Sequence, residues 1–311
     1  MIGDIKMTEC SWEHSPPDIE DIAVRIPSEF LIKCPNLVNA DNTINHNLIK
    51  SPSNNSFIKQ LISWSSEQLS YLEKRPGVLV LKVNHDNLND EQLKSLYYII
   101  CNGFGNLNNR YGELFDVKDR NLDYKKEAIP VSKTNSATGF HTDSTALEYS
   151  PDIVGLLCLQ PAKTGGESIL ANAADLFLWM KQMYPEDADT LAEPIIRDVI
   201  TPGSAADIKA IKKNRFPVFS IENDVFKFRF MRYWIISGHN RCKSKISPEL
   251  MRALDRIEEF LQIKENLLFY RMMRGDILFI NNNFICHNRT KYEDNEETGR
   301  KRTLVRSWIN Q

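Results

Sequence analysis

The spacing of apolar positions changes several times along the chain, and each change marks an element. From Ser53 to Lys74, Phe57, Leu61, Ile62, Leu69 and Leu72 fall on one side of a helix, and Pro76-Gly77 ends the pattern. The run "GVLVLKV" (77–83) is short, apolar and β-branched, which predicts a buried strand. A second helix is predicted from Asn89 or Asp90, with Leu93, Leu96 and Ile100 facing inward and Gly103 closing it. "DIVGLLCLQP" (152–161) predicts another strand, followed by a turn at Pro161 and Gly165-Gly166. A helix opens near 172 in "ANAADLFLWMKQMYP" and stops before Pro185. "RFPVFSI" and "VFKFRFMRYWII" predict strands, and "SPELMRALDRIEEFLQ" predicts an amphipathic helix with Ser247 as cap and Pro248 at its first position. "GDILFIN" and "RTLVRSWI" predict two late strands.

Helices at the edges and many strands in the middle predict an α+β fold in a single domain over residues 1–311, not an alternating βαβ protein. Residues 1–52, rich in Pro, Asn, Asp and Ser, predict an arm with one or two short strands that packs on this domain. Residues 175–265 form an insertion of helices and strands between two blocks of polar motifs. No internal repeat or low-complexity tract is visible.

Composition narrows the partners. At 42% hydrophobic and 26% charged, the 311 residues have an ordinary globular balance. Lys plus Arg total 39 against 41 Asp plus Glu, so the net charge is −2 and offers no basic surface for nucleic acid. No apolar run approaches the ~18 residues a membrane helix needs, and the N-terminus lacks a secretory pattern. Cysteines at 10, 34, 101, 158, 242 and 286 form no C-x-x-C, so neither a zinc knuckle nor a thioredoxin-type motif is present. A cytoplasmic protein acting on a small molecule is expected, with its oligomeric state open.

The candidate chemistry starts in "GFHTDSTAL" (139–147), where His141 and Asp143 stand two apart. On a strand such residues share a face, yet alone the pair is no more than chance. His287, in "NNNFICHNRT", changes that. Two imidazoles and a carboxylate with open positions form the facial triad of non-haem Fe(II) oxygenases. His239 in "SGHNRC" is a rival ligand, while His14, His46 and His85 lie in polar or helix-flanking contexts without evident partners. Arg302 and Arg306 are four apart in "RTLVRSW" and share a strand face with Leu304 and Trp308, which suits a carboxylate receptor. The competing view is a solvated cationic turn at "GRKR". "TGGES" (164–168) brings in Ser168, whose hydroxyl can share a carboxylate with Arg302.

In this order the motifs "FHTD", "GLLCLQPAKTGGESILANAADLF", "GDILFINNNFICHNRTKYED" and "RKRTLVRSW" resemble the TauD/TfdA family of Fe(II)/2-oxoglutarate-dependent dioxygenases. The resemblance spans about residues 70–311 and is thin between 175 and 265. It implies a double-stranded β-helix, or distorted jelly roll, with flanking helices. It implies Fe(II) held by His141, Asp143 and His287, with 2-oxoglutarate and O2 as co-substrates. Ser168 and Arg302 would hold the distal carboxylate of 2-oxoglutarate; the family more usually has Thr at the first position. Arg306 would lie near the metal and the other end of 2-oxoglutarate. Arg300 competes with Arg302, because "EDNEET" lengthens the preceding loop.

A halogenating subset of the family lacks the H-x-D carboxylate, so Asp143 points to oxygenation. The expected reaction is hydroxylation of an unactivated carbon of a small polar substrate such as an amino acid, with release of succinate and CO2. Desaturation and ring closure share the same ligands. Arg232 and Tyr233, from "KFRFMRYWI", and Glu148 are candidate substrate contacts. A non-catalytic jelly-roll protein that binds a metal or ligand is the alternative from another class. A zinc hydrolase and a JmjC-type demethylase share the ligands but fit the paired arginines less well.

Overall fold

The computed structural model describes residues 7–13, 15–39, 41, 43, 45, 55–83, 87–119, 134–145, 150–198, 207–295 and 299–311. Strands β1 (Ala23–Arg25), β2 (Val78–Lys82), β3 (Asn106–Leu107), β4 (Phe115–Lys118) and β5 (Ile153–Gln160) come first. The middle of the chain holds β6 (Thr164–Gly165), β7 (Ser168–Asn172), β8 (Ile195–Ile196), β9 (Arg215–Phe216), β10 (Phe219–Glu222) and β11 (Val225–Phe228). Then follow β12 (Leu267–Tyr270), β13 (Ile277–Asn281), β14 (Ile285–Arg289), β15 (Tyr292–Glu293) and β16 (Thr303–Asn310). The large sheet runs β1-β2-β13-β5-β16-β3, with β4 also paired to β16, and a smaller sheet runs β12-β7-β14.

Strand periodicity explains how the two sheets and the helices share the core. Val78, Val80, Val154, Cys158, Leu278, Ile280 and Leu304 enter one apolar cluster with Leu170, Ile285 and Tyr270 of the small sheet. Their neighbours Leu79, Leu81, Leu157, Ile277, Phe279, Val305 and Ile309 point the other way. They pack with residues of helices α1 (Ser56–Glu67) and α2 (Asp90–Phe104). Both faces of the large sheet are therefore buried, which is why its strands read as nearly continuous apolar runs. Each fully buried Val, Leu or Ile contributes roughly 1.5–3 kcal/mol. The architecture is the expected α+β, jelly-roll type. Among the described residues, no helix is long and apolar enough to cross a membrane.

Several elements differ from expectation for identifiable reasons. The helix expected over 53–74 divides. Asn55 caps α1 by accepting from the Phe57 and Ile58 N–H groups, α1 stops at Glu67, and a separate turn covers Ser70–Glu73. Helix α2 opens with an Asn89–Gln92 capping box and runs through Gly103 rather than ending there. A Cβ at Gly103 would lie 1.9 Å from Ser65 Oγ, so this glycine lets α1 and α2 touch. The N-terminal arm is more helical than expected, with turns at Ile19–Ile22 and Ser28–Lys33, although β1 does pair with β2.

"RFPVFSI" breaks at Pro217 into β9 and β10, since proline has no N–H to give a ladder. The strand expected over 225–236 stops at Phe228. Beyond it the chain turns into α5 (Arg232–Arg241), after α3 (Ala173–Met183) and α4 (Pro185–Ala192) and before α6 (Pro248–Gln262). Asn172 caps α3, and the predicted Ser247 caps α6.

Candidate metal and co-substrate site

The two histidines of the triad are brought together by backbone pairing. His141 and His287 form an antiparallel bridge in which each N–H donates to the other's carbonyl, at 3.0 and 2.8 Å. Directly opposed residues on one face place their side chains together, and the two imidazole centroids are 4.3 Å apart. Asp143, two residues on, reaches both rings. Its Oδ1 lies 3.6 Å from His141 Nε2 and 3.7 Å from His287 Nε2. Among the described residues, this is the one group of three potential ligands close enough for a single ion. His239, the rival, is buried in α5 and is not part of it.

The second layer fixes which atoms face inward. His141 Nδ1 lies 2.9 Å from the Gly139 carbonyl, which favours the tautomer with a free lone pair on Nε2. On Asp143, Oδ2 accepts from Trp308 Nε1 at 2.6 Å and Arg306 Nη1 at 3.3 Å, leaving Oδ1 toward the imidazoles. Asn282 holds the backbone of the same residue. Its Oδ1 accepts the Asp143 N–H at 2.7 Å, and its Nδ2 donates to the Asp143 and Pro151 carbonyls at 3.2 and 2.9 Å.

Burial acts to raise the Asp143 pKa, but Arg306 and the two imidazoles outweigh it and hold the carboxyl well below the usual carboxylate range. Burial, reinforced by His141, pushes His287 down to about 3 despite the Asp143 charge. An ionised carboxylate and neutral imidazoles are the donor set a borderline divalent metal needs. The residues present therefore fit Fe(II).

Arg302 immediately precedes β16, which carries Leu304, Arg306 and Trp308 at alternate positions. Arg302 is buried. Its Nη2 donates weakly to the Gly166 carbonyl at 3.4 Å, and among the described residues its Nη1 has no hydrogen-bond partner. No carboxylate among the described residues forms an ion pair with it. Burial pushes its pKa down, partly offset by Tyr292, Cys158 and Asp294. An unpaired buried guanidinium is costly, and a ligand carboxylate suits it. Arg300 is exposed on the preceding turn, so burial singles out Arg302.

The Gly-Gly turn is shaped around this arginine. Gly165 and Gly166 have φ of 66° and 72°, and a Cβ on Gly166 would lie 2.9 Å from Arg302 Nε. Two residues on, buried Ser168 starts β7 directly opposite Arg289.

Arg289 and Tyr292 were not foreseen from the sequence. Arg289 lies two residues beyond His287 on β14 and is buried, with its Nη2 donating to the Thr134 and Ser136 carbonyls. The Arg289 and Arg302 guanidiniums lie over the Tyr292 ring at 4.9 and 5.0 Å, and the buried Tyr292 hydroxyl lacks a well-aligned partner. The period of two from His287 could have flagged Arg289; nothing in the sequence marks Tyr292. Trp308 was seen to share a face with Arg306, but its bond to Asp143 was not.

The substrate candidates fare differently. Arg232 is not on a strand: it opens α5 and pairs with Asp255 at 2.6 Å and Glu258 at 3.3 Å on α6. Tyr233 beside it is exposed and stacks edge-on with Trp234. The structure does not bring either to the triad. Glu148 lies outside the described residues. Nearer the metal ligands, Ser144 takes a left-handed conformation (φ 60°), and the buried Ser144 and Thr145 hydroxyls have no hydrogen-bond partner among the described residues.

Known proteins resemble this chain in sequence and in fold. The family profile described as taurine catabolism dioxygenase TauD, TfdA family matches residues 52–308. FR-33289 synthase of Streptomyces rubellomurinus is 30% identical over 182 residues, covering 57% of this chain and 51% of its own. Gamma-butyrobetaine dioxygenase of Homo sapiens is 23% identical over 190 residues, covering 61% of this chain and 48% of its own. The chain thus matches about half the length of these relatives. Asparagine oxygenase in complex with Fe(II), a hydroxyasparagine and succinate superposes with a TM-score of 0.64 at 13% identity, covering 93% of both chains. The non-heme iron oxygenase OrfP with Fe and alpha-ketoglutaric acid gives 0.62 at 13% identity, covering 93% of this chain and 94% of its own. At such identities the likeness to solved structures establishes the fold.

Proposed function

The chain belongs to the TauD/TfdA family of dioxygenases, and on that premise we propose that it is an Fe(II)- and 2-oxoglutarate-dependent oxygenase. Its reaction is hydroxylation of an unactivated carbon of a small polar substrate. One oxygen atom of O2 enters the substrate as hydroxyl, and the other enters succinate as CO2 leaves. Residues 1–311 act as one domain in this reading.

The observation that carries the proposal is the division of Asp143. Oδ2 is tied to Trp308 and Arg306, while Oδ1 faces both Nε2 atoms. His141, Asp143 and His287 would hold Fe(II). The bound iron, with 2-oxoglutarate and O2, supplies the oxidation of the C–H bond.

The chain's own residues orient and insulate. Arg302, with Ser168 beside the Gly-Gly turn, anchors the distal carboxylate of 2-oxoglutarate, so the keto acid end is turned toward the triad. Arg306 keeps Asp143 ionised and, with Trp308, stops its carboxylate from rotating. The apolar cluster between the two sheets keeps bulk water from the site.

An amino acid or a related small acid is the substrate class best supported, because the superposed enzymes are named for asparagine oxygenation and for complexes with hydroxyarginine. All six cysteines are free thiols, which supports a reducing, cytoplasmic setting. The test is succinate formation from 2-oxoglutarate by Fe(II)-loaded protein, screened over amino acids and small acids. Stimulation by one class names the substrate. No stimulation together with tight metal binding would favour a binding protein on the same fold.

A further inference from the structure

Away from the triad, two more guanidiniums are buried, and among the described residues one has no paired counter-charge. Arg197 follows β8 and has no exposed surface; Arg229 follows β11 and has very little. The Arg197 Nη2 donates to the Phe216 and Pro217 carbonyls at 3.3 and 2.9 Å, but among the described residues its Nε and Nη1 have no hydrogen-bond partner. The neighbouring Asp198 is engaged by Arg241 at 2.7 Å and by the Ser237 hydroxyl at 2.5 Å. The Arg229 guanidinium stacks on the Phe216 ring at 4.4 Å, so one residue touches both cations.

Burial and the Arg229 charge push Arg197 down to about 9. Arg252, which has Asp187 as a partner, is shifted up instead. Buried, uncompensated charge is retained at a cost unless something binds it.

One of the two, Arg229, sits on a segment that adjoins the metal-ligand motif. Arg229 sits between Phe228 and Phe230, whose backbone groups hold Thr142. The Thr142 hydroxyl donates to the Phe228 carbonyl at 3.0 Å, and the Thr142 N–H donates to the Phe230 carbonyl at 3.0 Å. Thr142 is the residue between His141 and Asp143. Arg229 therefore belongs to the segment lying next to the metal ligands.

We propose that Arg197, with Arg229 beside it, forms a second oxyanion pocket, separate from the one at Arg302, that takes the acidic group of the substrate. The ligand class is a carboxylate or a phosphoryl group, either of which matches a guanidinium with more than one hydrogen bond. This assignment rests on the oxygenase reading, because it makes the anion the end of the substrate remote from the oxidised carbon.

The test uses anaerobic full-length protein loaded with Fe(II) and saturating 2-oxoglutarate, so that the Arg302 pocket is filled. It is titrated with acetate and with methylphosphonate, and the thermal midpoint is read alongside the visible charge-transfer band. The wild-type midpoint rises and saturates with at least one anion, and the anion that acts identifies the class. In Arg197→Met that rise is lost while the band persists. The anion-free midpoint of Arg197→Met equals or exceeds that of the wild type, because an unpaired buried charge is gone. Arg197→Lys retains a weaker rise.

Three results overturn the proposal: an undiminished rise in Arg197→Met, no rise with either anion in the wild type, or an Arg197→Met midpoint that falls and is restored by Arg197→Lys. The last would mean that Arg197 only braces the Phe216 and Pro217 carbonyls. A band that never forms in the wild type counts against the oxygenase reading instead, and the comparison of wild type with Arg197→Met still decides the pocket.

Discussion

Two stretches carry similar patterns of arginine and aromatic residues, "RTLVRSW" and "FKFRFMRYW", yet they fold differently. The first is β16, an unbroken eight-residue strand paired with β5 along one edge and with β4 and β3 along the other. The second keeps strand form only to Phe228, where its sole partner β10 ends, and it becomes helical at Arg232. Past Phe228 the Arg229 N–H still reaches the Val218 carbonyl at 2.8 Å, but the backbone of Phe230 is held by Thr142. A period of two predicts a shared face only where neighbouring strands hold the chain extended.

The arginines follow suit. Arg302 is buried and, among the described residues, has no carboxylate paired with it, whereas Arg232 is met by Asp255 and Glu258 on the next helix. The first is open to a ligand carboxylate, as proposed; the second braces two helices.

The contrast can be tested from its strongest consequence downward. Asp143→Ala removes the carboxylate on which both imidazoles and Arg306 converge. It should abolish substrate-dependent succinate release, and isothermal titration should show loss of Fe(II) binding.

Arg302→Ala comes next. Removing the anchor of a buried ligand carboxylate costs ~2–5 kcal/mol. The 2-oxoglutarate concentration for half-maximal rate should therefore rise about 30-fold or more, with little change from Arg300→Ala. The reverse ranking in steady-state kinetics would move the anchor to Arg300.

Trp308→Phe deletes the 2.6 Å bond to Asp143 Oδ2 while keeping an aromatic ring. Loss of such an outer partner weakens metal affinity by about 10–100-fold, which competition with a chelator would measure.

Arg232→Ala should do least. Its partners are solvent-exposed, and such pairs contribute under about 1 kcal/mol, so a slight fall in thermal midpoint with unchanged turnover is expected. A large loss of turnover would restore Arg232 as a substrate contact.

Much of this was legible in the residues. The runs that became β2, β5, β13 and β16 are buried on both faces and so carry long apolar stretches. The Ser247 cap is local chemistry and was placed correctly, and α2 starts where Asn89 or Asp90 was expected to open it. His141, Asp143 and His287 were picked out from residue type as candidate ligands, and the bridge between the two histidines brings the three within reach of one ion. What stayed hidden depends on contacts between distant segments. Gly103 looked like a helix stop because its packing on Ser65 is tertiary. Asn282 was not singled out, because its hold on Asp143 spans 139 positions. Tyr292 gave no signal because its role comes from two arginines converging on its ring.

If the triad and Arg302 together hold Fe(II) and 2-oxoglutarate, anaerobic titration of the purified protein with both, followed by visible absorption, gives a charge-transfer band that needs metal and 2-oxoglutarate together. The band vanishes in His287→Ala and demands far more 2-oxoglutarate in Arg302→Ala. A band of equal strength in His287→Ala, or metal binding indifferent to 2-oxoglutarate in the wild type, would contradict this assignment.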